Sequence, residues 1–311
     1  MISSEKIKET VNKAYELAFR KLGEGEVASY IPELAKGNPN HLSVSIMGLD
    51  GAKLSVGNSD VRFTIQSVGK LIGLIVALEQ LGREKVFSVV GMESSGDAFN
   101  SMVRLETNPG GIPSNPMINA GAIAVCSIIP GKGLDERYNL LLNKAKLLLG
   151  DKDVSLDEKV YLSEKRTGSR NKSMAYLMEA NEVINGDIDE HLDLYFRLCS
   201  LLVTSDSLAY MGAVLAGDGV DPVSKDQLIS KENARLVRAI MVTAGMYNAS
   251  GGFAVRIGCP SKSGVGGGII SAVPKKMGIG VFSPALDEIG NSLAGQIALE
   301  YLSKELDLFV Y

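Results

Sequence analysis

Ser67-Val68-Gly69-Lys70 sets a hydroxyl and an amine three residues apart, and Lys262-Ser263-Gly264 adds a second lysine-serine pair near the other end of the chain. A serine hydroxyl is a poor nucleophile at neutral pH and needs a base beside it. On a helix, residues three apart share a face, so Lys70 is placed to take the Ser67 proton. An ordinary lysine titrates at about 10.4, and bringing it toward neutrality costs about 4 kcal/mol, which demands burial or neighbouring cations. The pair therefore predicts a partly buried site.

Spacing alone does not single out Ser67. Ser3/Lys6 and Ser169/Lys172 repeat it among charged neighbours that read as solvated surface. Ser67 differs because Val61-Arg62-Phe63-Thr64-Ile65 precedes it and the apolar run Leu71 to Leu78 follows Lys70. It should open a buried helix whose N-terminus favours developing negative charge. Two histidines, His41 and His191, lack metal-ligand spacing and leave little material for a Ser-His-Asp triad or a zinc site. Proton transfer then falls to lysine and tyrosine. Phosphate-binding motifs fail as well: Gly264-Val265-Gly266-Gly267-Gly268 lacks the last glycine of Gly-x-Gly-x-x-Gly, and Thr64 stands where a P-loop before Gly69-Lys70 needs glycine.

The elements that must position these groups can be read from hydrophobic periodicity. With 311 residues, 45% hydrophobic and 22% charged, the chain can bury a large core. Residues 4 to 22 have helical spacing. Leu42 to Met47 and Lys53 to Val56, joined through Asp50-Gly51, read as a hairpin. From Gln66 to Tyr247 the pattern is helical and loop-like without a strong strand signal, with helices expected over Tyr138 to Leu149, Ser173 to Asn185, Glu190 to Leu202 and Asn233 to Tyr247. Three strands are then expected, Phe253 to Ile257, Val265 to Val273 and Gly278 to Phe282, before a last helix near Ser292 to Leu306. This order predicts an α+β fold, with an antiparallel sheet built from both chain ends and a helical region inserted between them. Asn108 to Pro116, dense in turn formers, makes a loop that could lead into a site.

Net charge of -4 and a pI near 5.4 argue against nucleic acid or an anionic membrane as partner, and favour a small ligand. Met1-Ile2-Ser3-Ser4-Glu5-Lys6 lacks the layout of a secretory leader, and no apolar stretch reaches membrane-spanning length, so a cytoplasmic protein is expected. Cys126, Cys199 and Cys259 are scattered and odd in number, which points to buried free thiols.

Ser-x-x-Lys on a helix with Lys-Ser/Thr-Gly on a late strand resembles the penicillin-recognising serine enzymes. Arg166-Thr167-Gly168 is a rival triplet, discounted because no apolar strand follows it. No Ser-Asp-Asn stands between the motifs, which weighs against β-lactam chemistry. Asn115-Pro116-Met117-Ile118-Asn119-Ala120-Gly121-Ala122-Ile123, Glu164 to Asn171, and Gly245-Met246-Tyr247 followed by Lys262-Ser263-Gly264-Val265 closely resemble the serine-dependent glutaminases, over roughly residues 25 to 285. The resemblance implies a single β-lactamase/transpeptidase-like catalytic domain over 1–311, with its sheet part at about 1–65 and 248–311 and its helical part at about 66–247. It implies hydrolysis of L-glutamine to L-glutamate and ammonia through a glutamyl-serine ester, with neither metal nor organic cofactor, in a homo-oligomer of two or four chains.

By the same resemblance Ser67 is the nucleophile, Lys70 its proton partner, and Tyr247 a shuttle of the proton to departing ammonia. The backbone N–H groups of Ser67 and Val265 hold the oxyanion. Glu164 pairs with the substrate ammonium, and Asn119, Asn171, Tyr195 and Tyr30 surround its amino-acid end. Each also has a plainer reading: Asn119 as a helix cap, Tyr30 and Tyr195 as packing residues, Glu164 in a surface cluster with Lys165 and Arg166. Two other functions fit the motifs, a β-lactamase or peptidase-like hydrolase and a cytosolic glutamine sensor that binds without turnover.

Overall fold

The computed structural model describes residues 3–94 and 96–311. Met1 and Ile2, part of the stretch weighed above for a leader, lie outside the described residues. The strands are β1 (Glu26–Val27), β2 (Ser43–Gly48), β3 (Lys53–Gly57), β4 (Phe63–Thr64), β5 (Leu202–Val203), β6 (Ser261–Ser263), β7 (Gly268–Val273), β8 (Met277–Phe282) and β9 (Ala285–Leu286). The helices are α1 (Ser4–Phe19), α2 (Gly69–Phe87), α3 (Val103–Thr107), α4 (Asn119–Ser127), α5 (Leu134–Leu149) and α6 (Glu158–Thr167). They continue as α7 (Ser169–Ala180), α8 (Ile188–Cys199), α9 (Ser205–Ala216), α10 (Lys231–Ala244), α11 (Ser250–Arg256) and α12 (Leu293–Glu305).

Both chain ends feed one antiparallel sheet in the order β3-β2-β8-β7-β6. The hairpin of β2 and β3 joins the late strands through β2 and β8, where Val44 faces Val281 and Ile46 faces Ile279. Strand side chains alternate between faces, and here each face has its own partner. Val44, Ile46, Ile279 and Val281 pack with Val11, Ala14 and Ala18 of α1 and Leu299 and Leu302 of α12. The intervening Ser43 and Ser45 turn to α9, where their hydroxyls meet the Ser205 hydroxyl at 2.8 and 2.9 Å. Gly278 also faces α9, and a Cβ there would come 2.0 Å from the Ala213 backbone nitrogen. The α9 helix, within the 66–247 stretch, therefore lies directly on the sheet.

One expected strand is a helix. Phe253 to Ile257 belongs to α11 and the turn after it. Phe253 and Ile257 are buried four residues apart while Val255 is 81% exposed, which is helical rather than alternating burial. The third late strand is instead β6, which carries Lys262 and pairs with β7 in a register that sets Lys262 against Ile270. The strand expected from Val265 begins only at Gly268, because Gly264 to Gly267 form the turn into it. A two-residue strand also interrupts the helical middle: β5 pairs with β4, with Phe63 opposite Val203, which fastens the segment just before Ser67 to the end of α8. Two residues are too few for periodicity to reveal.

The large apolar cluster lies among the helices around α2, whose residues Gly69 to Leu78 are all buried. Among the described residues no helix is long and apolar enough to cross a membrane. Cys126, Cys199 and Cys259 are free and buried.

Gly278→Ala forces a methyl against the α9 backbone, which has no flexible side chain to yield, and should cost about 1–3 kcal/mol. A thermal melt checks this: the midpoint should fall, and an unchanged midpoint would contradict the contact.

Candidate active site

Ser67 lies in a single 3-10 turn, Gln66–Val68, directly ahead of α2, and Lys70 is in the first turn of that helix. The segment is held from two sides. The Ile65 N–H donates to Leu201 O at 2.8 Å beside the β4–β5 pair. From the other side the turn between β6 and β7 presses its backbone against it. A Cβ on Gly264 would sit 2.8 Å from Ile65 O, and one on Gly266 would sit 2.5 Å from Thr64 O, so the approach requires glycine. That contact carries Val265 to Ser67. Among the described residues, neither the Ser67 N–H nor the Val265 N–H donates to another backbone group. The Val265 backbone lies beside the Tyr247 hydroxyl, and two backbone N–H groups without a backbone acceptor can receive developing negative charge.

Lys70 is 2% exposed, and both of its hydrogen-bond acceptors are neutral. Its amine donates to Asn119 Oδ1 at 2.7 Å and to Met117 O at 3.0 Å. Burial lowers its pKa to about 8, against the opposing pull of Cys199 and Glu164. The amine's bonds thus run to Asn119 and Met117 rather than to Ser67. Asn119 passes the chain on, its Nδ2 donating to Asn171 Oδ1 at 3.0 Å. It opens α4, yet its side chain serves Lys70 and not the helix end.

Met117 O is aimed by the loop that the sequence marked as irregular. Asn115 Oδ1 accepts the N–H groups of Met117 at 3.0 Å and Ile118 at 3.3 Å, closing a turn that exposes the Met117 carbonyl to Lys70.

Glu164 is buried on α6 rather than part of a surface cluster, and its Oε2 has no hydrogen-bond partner. Burial raises its pKa to about 8, while Lys70 and the nearby Ser200 hydroxyl pull it down. A buried carboxylate without a donor is costly, and a ligand cation would relieve it. Behind it, Asp193 on α8 accepts from Tyr161 at 2.5 Å, from Arg197 at 2.9 Å and from Lys165, tying α6 to α8. The neighbour Lys165 thus serves the clamp and leaves Glu164 free.

Tyr195 is buried on α8, and burial, together with Cys199 and Glu164, holds its pKa well above the ordinary phenol value. Tyr30 as a residue is 56% exposed, but its hydroxyl end is desolvated near Glu164 and Tyr247, so its pKa too lies well above normal. Tyr247 has a left-handed backbone, φ 56°, and Gln66 beside Ser67 has φ 48°, conformations that cost about 1–3 kcal/mol each and collect at functional sites. The buried Tyr247 hydroxyl makes no hydrogen bond. Burial raises its pKa, and the Ser67 hydroxyl and Val265 backbone beside it work the other way. Next to it, Phe99, Met117 and Tyr247 help to line a cavity of about 10 Å³, on the order of one water.

All nine site residues expected from the sequence, Tyr30, Ser67, Lys70, Asn119, Glu164, Asn171, Tyr195, Tyr247 and Val265, are therefore linked by contact or by mutual electrostatics. Four others were not anticipated as site groups: Met117 through its carbonyl, Phe99 against the Tyr247 ring, Ser200 beside Glu164, and Lys262 over Tyr247. Met117 works through backbone and leaves no side-chain signal; Lys262 was in view, but as a marker of the strand. Among the described residues no three His, Cys, Asp or Glu side chains converge to hold a metal ion.

A family model described as Glutaminase matches residues 25–311. "Glutaminase 2" of Clostridium perfringens is 51% identical over 287 residues, covering 92% of this chain and 94% of that protein. "Glutaminase" of Alkaliphilus oremlandii is 50% identical over 291 residues, covering 94% and 95%. A structure named "Probable glutaminase from Bacillus subtilis complexed with 6-diazo-5-oxo-L-norleucine" superposes with a TM-score of 0.90 at 34% identity over 100% of this chain and 99% of that one. A Bacillus glutaminase solved in the presence of 4.3 M NaCl gives 0.88 at 37% identity over 97% and 99%.

Glu164 supplies a pH test. Its folded pKa of about 8 lies above its ordinary 4.5, so the folded state holds the proton longer than the unfolded chain. The group's penalty is absent below 4.5, grows as pH rises and is complete above about 8. Glu164→Gln should therefore gain melting temperature over the parent, by more at pH 9 than at pH 6. A gap that does not change with pH would contradict the buried, unpaired carboxylate.

Proposed function

The chain belongs to the glutaminase family, and from that premise we propose that it hydrolyses L-glutamine to L-glutamate and ammonia through a glutamyl-Ser67 ester. The observation that carries the reading is the pairing of the buried, lowered Lys70 amine, on the helix that begins just after Ser67, with the nearby buried Glu164 carboxylate, whose Oε2 has no hydrogen-bond partner. The first supplies the chemistry and the second a place for an amino-acid ammonium. Asn119, Asn171, Tyr195 and Tyr30 surround the amino-acid end of the substrate. As neutral donors they can hold its carboxylate without competing as cations for Glu164.

In the reaction so read, Lys70 takes the Ser67 proton as Oγ attacks the side-chain amide carbon. The oxyanion rests on the N–H groups of Ser67 and Val265, each worth about 3 kcal/mol to the transition state. Collapse breaks the C–N bond, with Tyr247 relaying a proton to the departing ammonia. Water then adds to the ester by the same route, returning the proton to Ser67 and releasing glutamate. The fold belonging to this reading is a single β-lactamase/transpeptidase-like domain, supported by the five-stranded sheet built from both chain ends. A cytoplasmic setting is supported by the three free, buried thiols. The homo-oligomer of two or four chains rests on the family resemblance.

Ser67→Ala should reduce ammonia release from L-glutamine by on the order of 10⁴-fold or more. The parent protein, quenched during turnover, should show a glutamyl adduct on the peptide that contains Ser67. Parent-like turnover by the alanine variant would remove Ser67 as the nucleophile. Glu164→Gln deletes the charge of the ammonium partner, a loss of about 1.5–3 kcal/mol. KM for L-glutamine should rise by roughly 10- to 100-fold, and an unchanged KM and kcat would take Glu164 out of the site.

A further inference from the structure

Ser200 caps the end of α8, is 0% exposed, and has no role in the proposed reaction. Its backbone is fully used: the N–H donates to Phe196 O at 3.1 Å and Arg197 O at 3.2 Å, and the carbonyl accepts the Asp157 N–H at 2.9 Å. Its hydroxyl has no hydrogen-bond partner among the described residues, and neither has Glu164 Oε2. The two are neighbours. Burial raises the Glu164 pKa, and Lys70 and then the Ser200 hydroxyl draw it back.

Backbone bonds fix this placement from two sides. On one, the Leu202 N–H donates to Ser155 O at 2.8 Å and Leu201 pairs with Leu156, which fastens the segment to the start of α6. Asp157, whose N–H Ser200 holds, caps that helix, its Oδ1 accepting the Lys159 and Val160 N–H groups at 3.0 and 3.1 Å. On the other, Leu201 O accepts the Ile65 N–H at 2.8 Å and Val203 stands opposite Phe63, in the strand ahead of Ser67. Ser200 is thus tied both to the helix that carries Glu164 and to the segment that carries Ser67. Only its side chain is left to turn.

A buried hydroxyl without a partner is unfavourable, and alanine would fit the same backbone without that cost. A hydroxyl hydrogen rotates to suit its neighbour, and a hydrogen bond to an ionised carboxylate is about twice as strong as one between neutral groups. A bond from Ser200 to Oε2 therefore gains most when Glu164 carries its charge, the form that an ammonium requires.

We propose that Ser200 is a positioning residue for substrate binding, its hydroxyl donating to Glu164 Oε2 once the carboxylate is ionised and so holding Oε1 toward the ammonium of L-glutamine. This rests on the role given to Glu164 above. Ser200 touches neither the substrate nor a reacting atom; it acts through the carboxylate. The ammonium is bound alike in the ground state and the transition state, so loss of this support raises KM and spares kcat.

The experiment is a double-mutant cycle of Ser200→Ala and Glu164→Gln, with kcat and KM for L-glutamine and a thermal melt for each protein. Ser200→Ala should raise KM by roughly 3- to 10-fold, the scale of one hydrogen bond, with kcat within about twofold of the parent and a melting midpoint no lower. In the Glu164→Gln background the same substitution should change KM by less than about twofold, since a residue acting through the carboxylate loses little more once the charge is gone. A parent-like KM for Ser200→Ala, a loss carried by kcat instead, or KM losses that multiply in the double variant would overturn the proposal while leaving Glu164 in place. An unchanged KM and kcat for Glu164→Gln would overturn the role of Glu164 itself. Should Ser200→Ala not fold, Ser200→Cys, which keeps the shape and offers only a weak donor, is measured in its place; KM should again rise, and a parent-like KM overturns the proposal.

Discussion

The removal of the Lys70 amine from water is the constraint on which the rest of the site depends. In solution the amine would hold its proton and be useless as a base; within α2, facing two neutral oxygens, it is brought to a pKa of about 8. Any carboxylate in direct contact would undo this by favouring the charged form. Hence the nearest partners are an amide and a carbonyl. Glu164 is kept apart, with its own ionisation held back by burial to about the same pH. Each group pulls the other toward its charged form, and burial outweighs that pull in both. In the proposed reaction, the substrate ammonium would meet Glu164 and its side-chain amide would meet Ser67.

Such a pocket asks for rigid walls, because it is held against the preference of its own groups. The walls come from both ends of the chain. Residues 63–70 supply the hydroxyl and the amine, and the turn after β6 reaches them through backbone contacts that Gly264 and Gly266 permit. The sheet fixes that turn through β7 and β8, and α9 seals its face over Gly278. On the helical side, Asp193 binds α6 to α8, the elements bearing Glu164 and Tyr195. The strained Gln66 and Tyr247 mark where this framework forces local geometry for the sake of the site.

Much of this was legible in the residues, and the parts that were not share a physical cause. The Ser67–Lys70 spacing ahead of an apolar run indicated both the burial and the direction of the lysine shift. The early hairpin and the sheet shared between chain ends followed from alternation and turn residues. Phe253 to Ile257 reads as a strand yet is helical, because a short apolar run between glycines satisfies both and only its packing, with Val255 in solvent, decides. Met117 could not be found from side-chain chemistry because its carbonyl does the work. Lys262 reads as a strand marker, since a sequence does not tell which ring a lysine will lie against. The gathering of Tyr30, Asn119, Asn171 and Tyr195 came from family resemblance; no local pattern connects residues so far apart in the chain.

Direct titration of Lys70 reads the shift of its amine. With lysine labelled at the side-chain carbon next to the amine, and Lys70→Met used to assign the signal, Lys70 in the folded protein should lose its proton at about pH 8. A Lys70 signal that stays in the protonated position until about pH 10, as an ordinary lysine does, would contradict it.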